Sequence, residues 1–346
     1  MSAQKHDYAS TFVSNWERFT HEVRKVMVGC EEPLRLCGLA MFSDGHVILE
    51  SVPGLGKTTL AFTLGYAIKN GVAGWFQGTA DLLPMDIVGS MIWNPKTQEM
   101  EVKHGYVKPE FNILLADETN RVAPKTGAAL LNVMQERRVN IGGQEFLMAD
   151  PFLVIGTQNP IEQEGTYPMP EALLDRFAVM GELTYPDFEE EIVLAKRKAV
   201  YARNQQEAAG VEPVLSVAEL RQMRHYAQEE IEISDSVYRY IVRLVRATRP
   251  KCREEFDAYM PAELKRFIAV GASGRGILWL TACSKVAAAI AGRTAVHIQD
   301  VQSAALPCLG HRIFLKTDAV FSSQSESLRH DIMAGLLEAV PTVDDQ

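Results

Sequence analysis

Between residues 47 and 183 the chain alternates short apolar runs with helix-patterned stretches, and nothing else in it constrains the fold as much. The runs cover 47–50, 75–78, 112–117, 152–157 and 179–183. Most are rich in β-branched or aromatic residues, which suit a pleated, buried surface. Helical patterns over 58–70 and 125–136 lie between them. Strands that are apolar on both faces need cover on both, and strands joined through helices run parallel. The expected class is therefore α/β, a mostly parallel sheet between helical layers.

Two polar inserts interrupt the alternation. Within 90–106, Asn94-Pro95-Lys96-Thr97 separates Met91-Ile92-Trp93 from Met100-Glu101-Val102 and reads as a hairpin turn. Within 138–148, Gly142-Gly143 separates two short alternating runs, the pattern of a tight hairpin. Past Tyr185-Pro186 the strand signal ends and the chain reads as helical. Residues 188–201 open with Glu189, Glu190 and Glu191 and close with Lys196, Arg197 and Lys198, in accord with the helix dipole. Ser216 with Glu219 forms a capping-box signature. Val237, Ile241, Leu244, Val245 and Thr248 share one helical face ahead of Pro250, and a helix over 277–290 is closed by Gly292. Short helices are expected over 301–309 and 328–340. At about 150 residues per domain the length suggests two domains, placed at 1–186 and 187–346.

Composition works by exclusion. Hydrophobic residues at 47% and charged residues at 23% exclude a disordered chain. Lys plus Arg number 35 against 44 Asp plus Glu, a formal net charge of -9 without any basic block, which disfavours a nucleic-acid partner. Residues 1–17 are polar and lack the apolar core of a signal peptide, and no apolar run is long enough to span a bilayer. The cysteines Cys30, Cys37, Cys252, Cys283 and Cys308 are odd in number and form no C-x-x-C pair, as expected for reduced thiols in a cytoplasmic protein.

Ser51-Val52-Pro53-Gly54-Leu55-Gly56-Lys57-Thr58, followed by Thr59, leaves the first strand and opens a helix. In that setting successive backbone N–H groups and the helix N-terminus can cradle phosphates. Lys57 would reach the β- and γ-phosphates, and the Thr58 hydroxyl would meet Mg²⁺. The usual pattern begins with Gly where this chain has Ser51; a positive φ there would strain a serine, and a negative one would not. The run Ile113-Leu114-Leu115-Ala116 ends in Asp117 and Glu118. A buried parallel strand delivers its C-terminal residues to the ligand crevice. Asp117 would hold Mg²⁺ through water and Glu118 would orient the attacking water. Asn159 ends the next apolar run; it is either a contact to that water or the γ-phosphate, or a turn residue before Pro160.

At this point the chain resembles the AAA+ ATPases, specifically the MoxR-like family of the helix-2-insert branch. The likeness rests on the stretches at 51–58, 78–89, 113–136, 156–177 and 271–275, and runs from about residue 20 to about residue 312. It implies an αβα core with a five-stranded parallel sheet in the order 5-1-4-3-2, followed by an all-helical lid. It also implies that the first hairpin is the helix-2 insert and the second the one preceding the first sensor. Asn159 matches that sensor, Arg176 the arginine finger offered to a neighbouring subunit, and Arg275 the second sensor. Read without the resemblance, Arg176 could equally pair with Asp175 or Glu171. Where the family usually carries Pro in the second-sensor motif, this chain has Gly274.

The resemblance implies ATP as ligand, Mg²⁺ as cofactor and a homo-oligomeric ring, expected to be a hexamer. The implied task is chaperone-like assembly or activation of a client enzyme complex, often beside a protein with a von Willebrand factor A domain. Two other readings remain open: a nucleic-acid motor of the same branch, and a nucleotide-gated scaffold that does not hydrolyse. For the motor, Lys96, Lys103, Arg137 and Arg138 are the basic residues near the hairpins. Trp93 is either an anchor for a partner or a hairpin-stabilising residue.

Overall fold

The computed structural model describes residues 2–159, 169, 171–196, 205–250, 264, 266–316 and 325–342. The chain divides into two compact units, one of residues 14–177 with 181–222, the other of residues 223–346 with 1–13 and 178–180. The first of these runs past residue 186, where composition put the domain boundary. The physical reason is pairing. Leu215 and Ser216 add a parallel two-residue strand to Ile68 and Lys69, and the Val214 N–H donates to Ala67 O at 2.9 Å.

That unit is built on β1 (Val47–Ser51), β2 (Ala73–Gln77), β3 (Gly89–Asn94), β4 (Glu99–His104), β5 (Ile113–Asp117), β6 (Arg138–Ile141), β7 (Gln144–Leu147), β8 (Leu153–Gln158) and β9 (Val179–Leu183). Five of them form one sheet in the order β9-β1-β8-β5-β2. Numbered along the chain within that sheet, this is 5-1-4-3-2, as the resemblance implied. The β1–β8, β8–β5 and β5–β2 pairs are parallel. Val47, Ile48, Leu49, Leu114, Leu115 and Val154 have no measurable exposure, which accounts for their unbroken apolar character.

Helices α1 (Ser2–Arg24), α2 (Glu31–Phe42), α3 (Lys57–Tyr66), α4 (Pro84–Val88) and α5 (Pro124–Glu136) occur in this part of the chain. The helix expected over 58–70 stops at Tyr66, because residues 68–69 turn to strand pairing. α1 was not foreseen. Its buried residues Ala9, Phe12, Trp16, Phe19 and Val23 recur at spacings of three and four, an amphipathic stripe inside a polar segment.

Both expected hairpins form. β3 and β4 pair antiparallel with Trp93 opposite Met100, and the Asn94 side chain accepts the Lys96 N–H at 2.9 Å within the turn. β6 and β7 pair around Gly142 and Gly143, both at positive φ as a tight twisted turn requires. The hairpins touch, with the His104 and Phe146 rings edge to face at 4.8 Å. Trp93 is 57% exposed, and Ile92, Met100 and Leu147 are exposed with it.

α6 (Phe188–Lys196) belongs to the first unit, and α7 (Val217–His225) spans the division, which falls between Gln222 and Met223. The second unit is mostly helical but not all-helical as expected, because Ile268–Val270 pairs antiparallel with Phe314–Leu315. The Ser216–Glu219 capping box forms, with Ser216 N and Oγ each donating to Glu219 Oε2 at 2.7 Å and Glu219 N donating to Ser216 Oγ at 3.2 Å. These bonds, the hydroxyl first, hold the Glu219 carboxyl below its ordinary value. Helices α8 (Asp235–Ala247), α9 (Gly274–Ile290), α10 (Ile298–Leu309) and α11 (Ser325–Ala339) follow. The face Val237, Ile241, Leu244, Val245 and Thr248 is buried as expected. Cys30, Cys37, Cys283 and Cys308 are free thiols; Cys252, residues 160–168 and the end of the helix expected over 188–201 lie outside the described residues.

Candidate nucleotide site

The loop after β1 has the form a phosphate cradle needs. Gly54 and Gly56 sit at φ +91° and +81°, a region an L side chain enters only with strain. Gly56 is the N-cap of α3, so the unpaired N–H groups of the first turn point out of the loop. Ser51 ends β1 as an extended, buried residue outside the positive-φ set, and its hydroxyl donates to Val52 O at 2.9 Å. The departure from Gly therefore carries no backbone strain.

Parallel pairing then brings the acids to this loop. Lys57 Nζ lies 3.1 Å from Asp117 Oδ1. Thr157, fully buried at the end of β8, donates its hydroxyl to Asp117 Oδ1 at 2.5 Å and accepts the Glu118 N–H at 3.0 Å. One hydroxyl thus fixes both acids. Glu118 takes the left-handed conformation, φ 53° and ψ 47°, a strained choice for a non-glycine residue and one that collects at functional positions. Its carboxylate accepts from Arg121 at 2.9 Å and from Gln77 at 3.2 Å. In this conformation it is engaged at the strand ends and would have to turn from those donors to reach a water.

The donor set suits a hard cation held jointly with phosphates. Thr58 and Asp117 offer hydroxyl and carboxylate oxygens, and the described residues contain no His, Cys, Asp or Glu cluster able to cage a metal alone. Mg²⁺ is bound in that manner, by one or two protein oxygens, water and substrate phosphate.

Beside the loop lies a cleft of about 400 Å³ lined by Val26, Met27, Val28, Leu55, Leu183 and Leu194 among others, with Gly54, Gly56 and Thr59 on the loop side. Its size and apolar walls fit a nucleoside base. Sequence reasoning missed this wall, because its residues come from segments far apart in the chain. It also missed Thr157, Gln77 and Arg121. The pairing register of Gln77 with Asp117 is the signal that would have found Gln77.

The other expected residues are placed as follows. Asn159 directly follows β8 and is buried, at 5% exposure. Arg176 follows the one-turn helix Glu171–Leu174, its N–H bonded to Leu173 O at 3.1 Å. Arg275 lies in the helical unit, in the first turn of α9, where Ser273 caps the helix by accepting the Arg275 N–H at 3.1 Å. Gly274 is the first residue of α9, and a Cβ there would meet nothing within 4 Å.

The chain is similar to known proteins. Residues 46–179 match the ATPase family associated with various cellular activities (AAA), and residues 262–331 match the AAA lid domain. Chaperone MoxR1 of Mycobacterium tuberculosis is 37% identical over 308 residues, which cover 89% of this chain and 78% of that protein. YeaC of Bacillus subtilis is 37% identical over 320 residues, covering 91% and 92%. A crystal structure of a candidate ATPase from Cytophaga hutchinsonii superposes with a TM-score of 0.84 at 35% identity, covering 98% of each chain. On these two family matches and relatives at 37% identity, the chain belongs to the MoxR-like family of AAA+ ATPases.

Proposed function

We propose that this ATPase works as a Mg²⁺-dependent ring in the cytoplasm, expected to be a hexamer, and couples turnover to chaperone-like remodelling of a partner protein complex. The observation that carries the catalytic reading is the Thr157 hydroxyl, which ties the carboxylate facing Lys57 to the residue that would act on water. The loop amides and Lys57 bind the phosphates. Thr58 and Asp117 would hold Mg²⁺, which when bound would neutralise charge on the phosphates. Glu118, once turned from Arg121 and Gln77, accepts a hydrogen bond from water and aligns it, with Asn159 beside it. The partner subunit's Arg176 adds a fixed positive charge to the γ-phosphate, since a guanidinium is always charged and presents a rigid fork. Arg275, in the first turn of α9, is the residue we assign to the second sensor.

The two contacting hairpins, with Trp93 exposed at one of them, are the surface we assign to the client, and a von Willebrand factor A domain protein is the partner the family suggests. Phosphate release measured over a range of protein concentrations, beside the Glu118→Gln variant, tests the catalytic reading. Turnover per subunit should rise with concentration and fall about 10²–10⁴-fold in the variant, the usual worth of a positioned base. Undiminished turnover in the variant would remove Glu118 from the mechanism; turnover independent of concentration down to dissociated chains would remove the shared site.

A further inference from the structure

Arg312 is the largest fully buried side chain in the molecule's described residues, at 1% exposure. A guanidinium keeps its charge at any accessible pH, so its burial is costly unless its donors are met. Arg312 ends the turn that follows α10. One terminal nitrogen donates to Cys308 O, the carbonyl one turn back that the helix end leaves unpaired. The same nitrogen lies 2.7 Å from His311 Nε2, and because arginine has no acceptor, the imidazole accepts. The same nitrogen also lies 3.3 Å from Ala178 O, outside the helices, so its two protons are shared among these acceptors.

Gly276 on α9 packs on this turn: a Cβ there would stand 3.2 Å from Leu309 Cδ2, tighter than usual, and 3.6 Å from Arg312 Cδ, an ordinary contact. Gly276 is the residue after Arg275. Ala178 is two residues after Arg176, and Phe177 between them is fully buried. Fixing the Ala178 carbonyl limits where the backbone can carry Arg176, because successive Cα atoms are tied at about 3.8 Å.

We propose that Arg312 is a positioning residue for Arg176: the lid grips the chain two residues beyond the finger, so each subunit's lid sets the finger it offers to its neighbour. The proposal rests on the trans role of Arg176 given above.

The test is trans-complementation. Arg312→Gln should lower kcat by about 10²-fold, the cost of a misplacement of about 1 Å, with KM for ATP and binding of a fluorescent ATP analogue changed less than about twofold. Its own phosphate site is intact, so mixing it with Glu118→Gln subunits, which cannot hydrolyse but carry sound fingers, should restore turnover. In randomly mixed rings at equal ratio, about half of the Arg312→Gln sites gain a sound neighbour. Arg176→Ala mixed with the same Glu118→Gln subunits is the control. Wild-type turnover by Arg312→Gln alone overturns the proposal, as does a loss that mixing does not restore while the control is restored. A control that is not restored overturns the trans finger, and the positioning role with it. Should Arg312→Gln fail to bind the analogue, Arg312→Lys, which keeps the charge but not the fork, is run through the same mixture and judged by the same outcomes.

Discussion

Thr157 shows what a single buried hydroxyl does at this site. It gives its proton to Asp117 and takes the N–H of Glu118, tying the two acids together at the end of the strand. Thr157→Val keeps the shape and leaves the Glu118 N–H without that acceptor, so a loss of about 1–3 kcal/mol is expected in denaturant unfolding. Turnover should fall with it, which phosphate release would measure; unchanged stability and turnover would mean that water replaces the hydroxyl. His46, at the opposite end of β1, is buried and neutral. Its Nδ1 accepts the Val154 N–H at 3.0 Å, so Nε2 carries the proton facing Met134 O at 3.2 Å. Burial first, and then the Arg137 charge, hold it well below its ordinary value near 6.5. The unfolded chain therefore takes up a proton that the folded chain refuses. Stability from this group is complete above about pH 6.5 and falls as pH drops below it, by up to about 1.4 kcal/mol per pH unit. Melting curves between pH 7 and 5 should show that slope, and it should flatten in His46→Gln. Asp117, Glu118 and Lys57 were legible in the sequence because motif spacing carries them; Thr157 was not, because a threonine at a strand end signals nothing until the strand beside it is known.

At the scale of elements, the start of α9 offers a separate test. Ser273 is extended, at φ -74° and ψ -178°, which is what a residue before proline requires. Gly274 is at the first helical position, where proline is tolerated, and its Cβ direction is open. Gly274→Pro should therefore raise stability by about 0.4–1 kcal/mol by restricting the unfolded chain. A thermal shift assay would register the gain, and a lower melting temperature would mean that the Gly274 N–H is needed. Ser51→Gly should bring no gain in kcat, since Ser51 is already extended. The strands, both hairpins and α5 were legible because each buries a short regular pattern that belongs to it alone. α1 was overlooked for the converse reason: its stripe of five buried residues is diluted by a polar majority, and only packing reveals which face counts.

For the whole molecule, ligand binding is the property that joins loop, acids and cleft. A non-hydrolysed ATP analogue with Mg²⁺ at about 100 times its Kd should stabilise the sheet-bearing unit by about 2.7 kcal/mol, and Lys57→Ala should abolish most of the shift. A shift that survives the substitution would place the ligand elsewhere. The alternation of strands and helices, the phosphate loop and the paired acids follow from the sequence itself, because local pattern and chain order are enough to specify them. The left-handed Glu118 and its two donors, the hydroxyl between the acids, the apolar wall beside the loop and the contact of Arg312 with Ala178 were decided only by tertiary structure. Each depends on residues distant in the chain meeting at one place, and that meeting is set by strand register and helix packing, which no stretch of sequence states on its own.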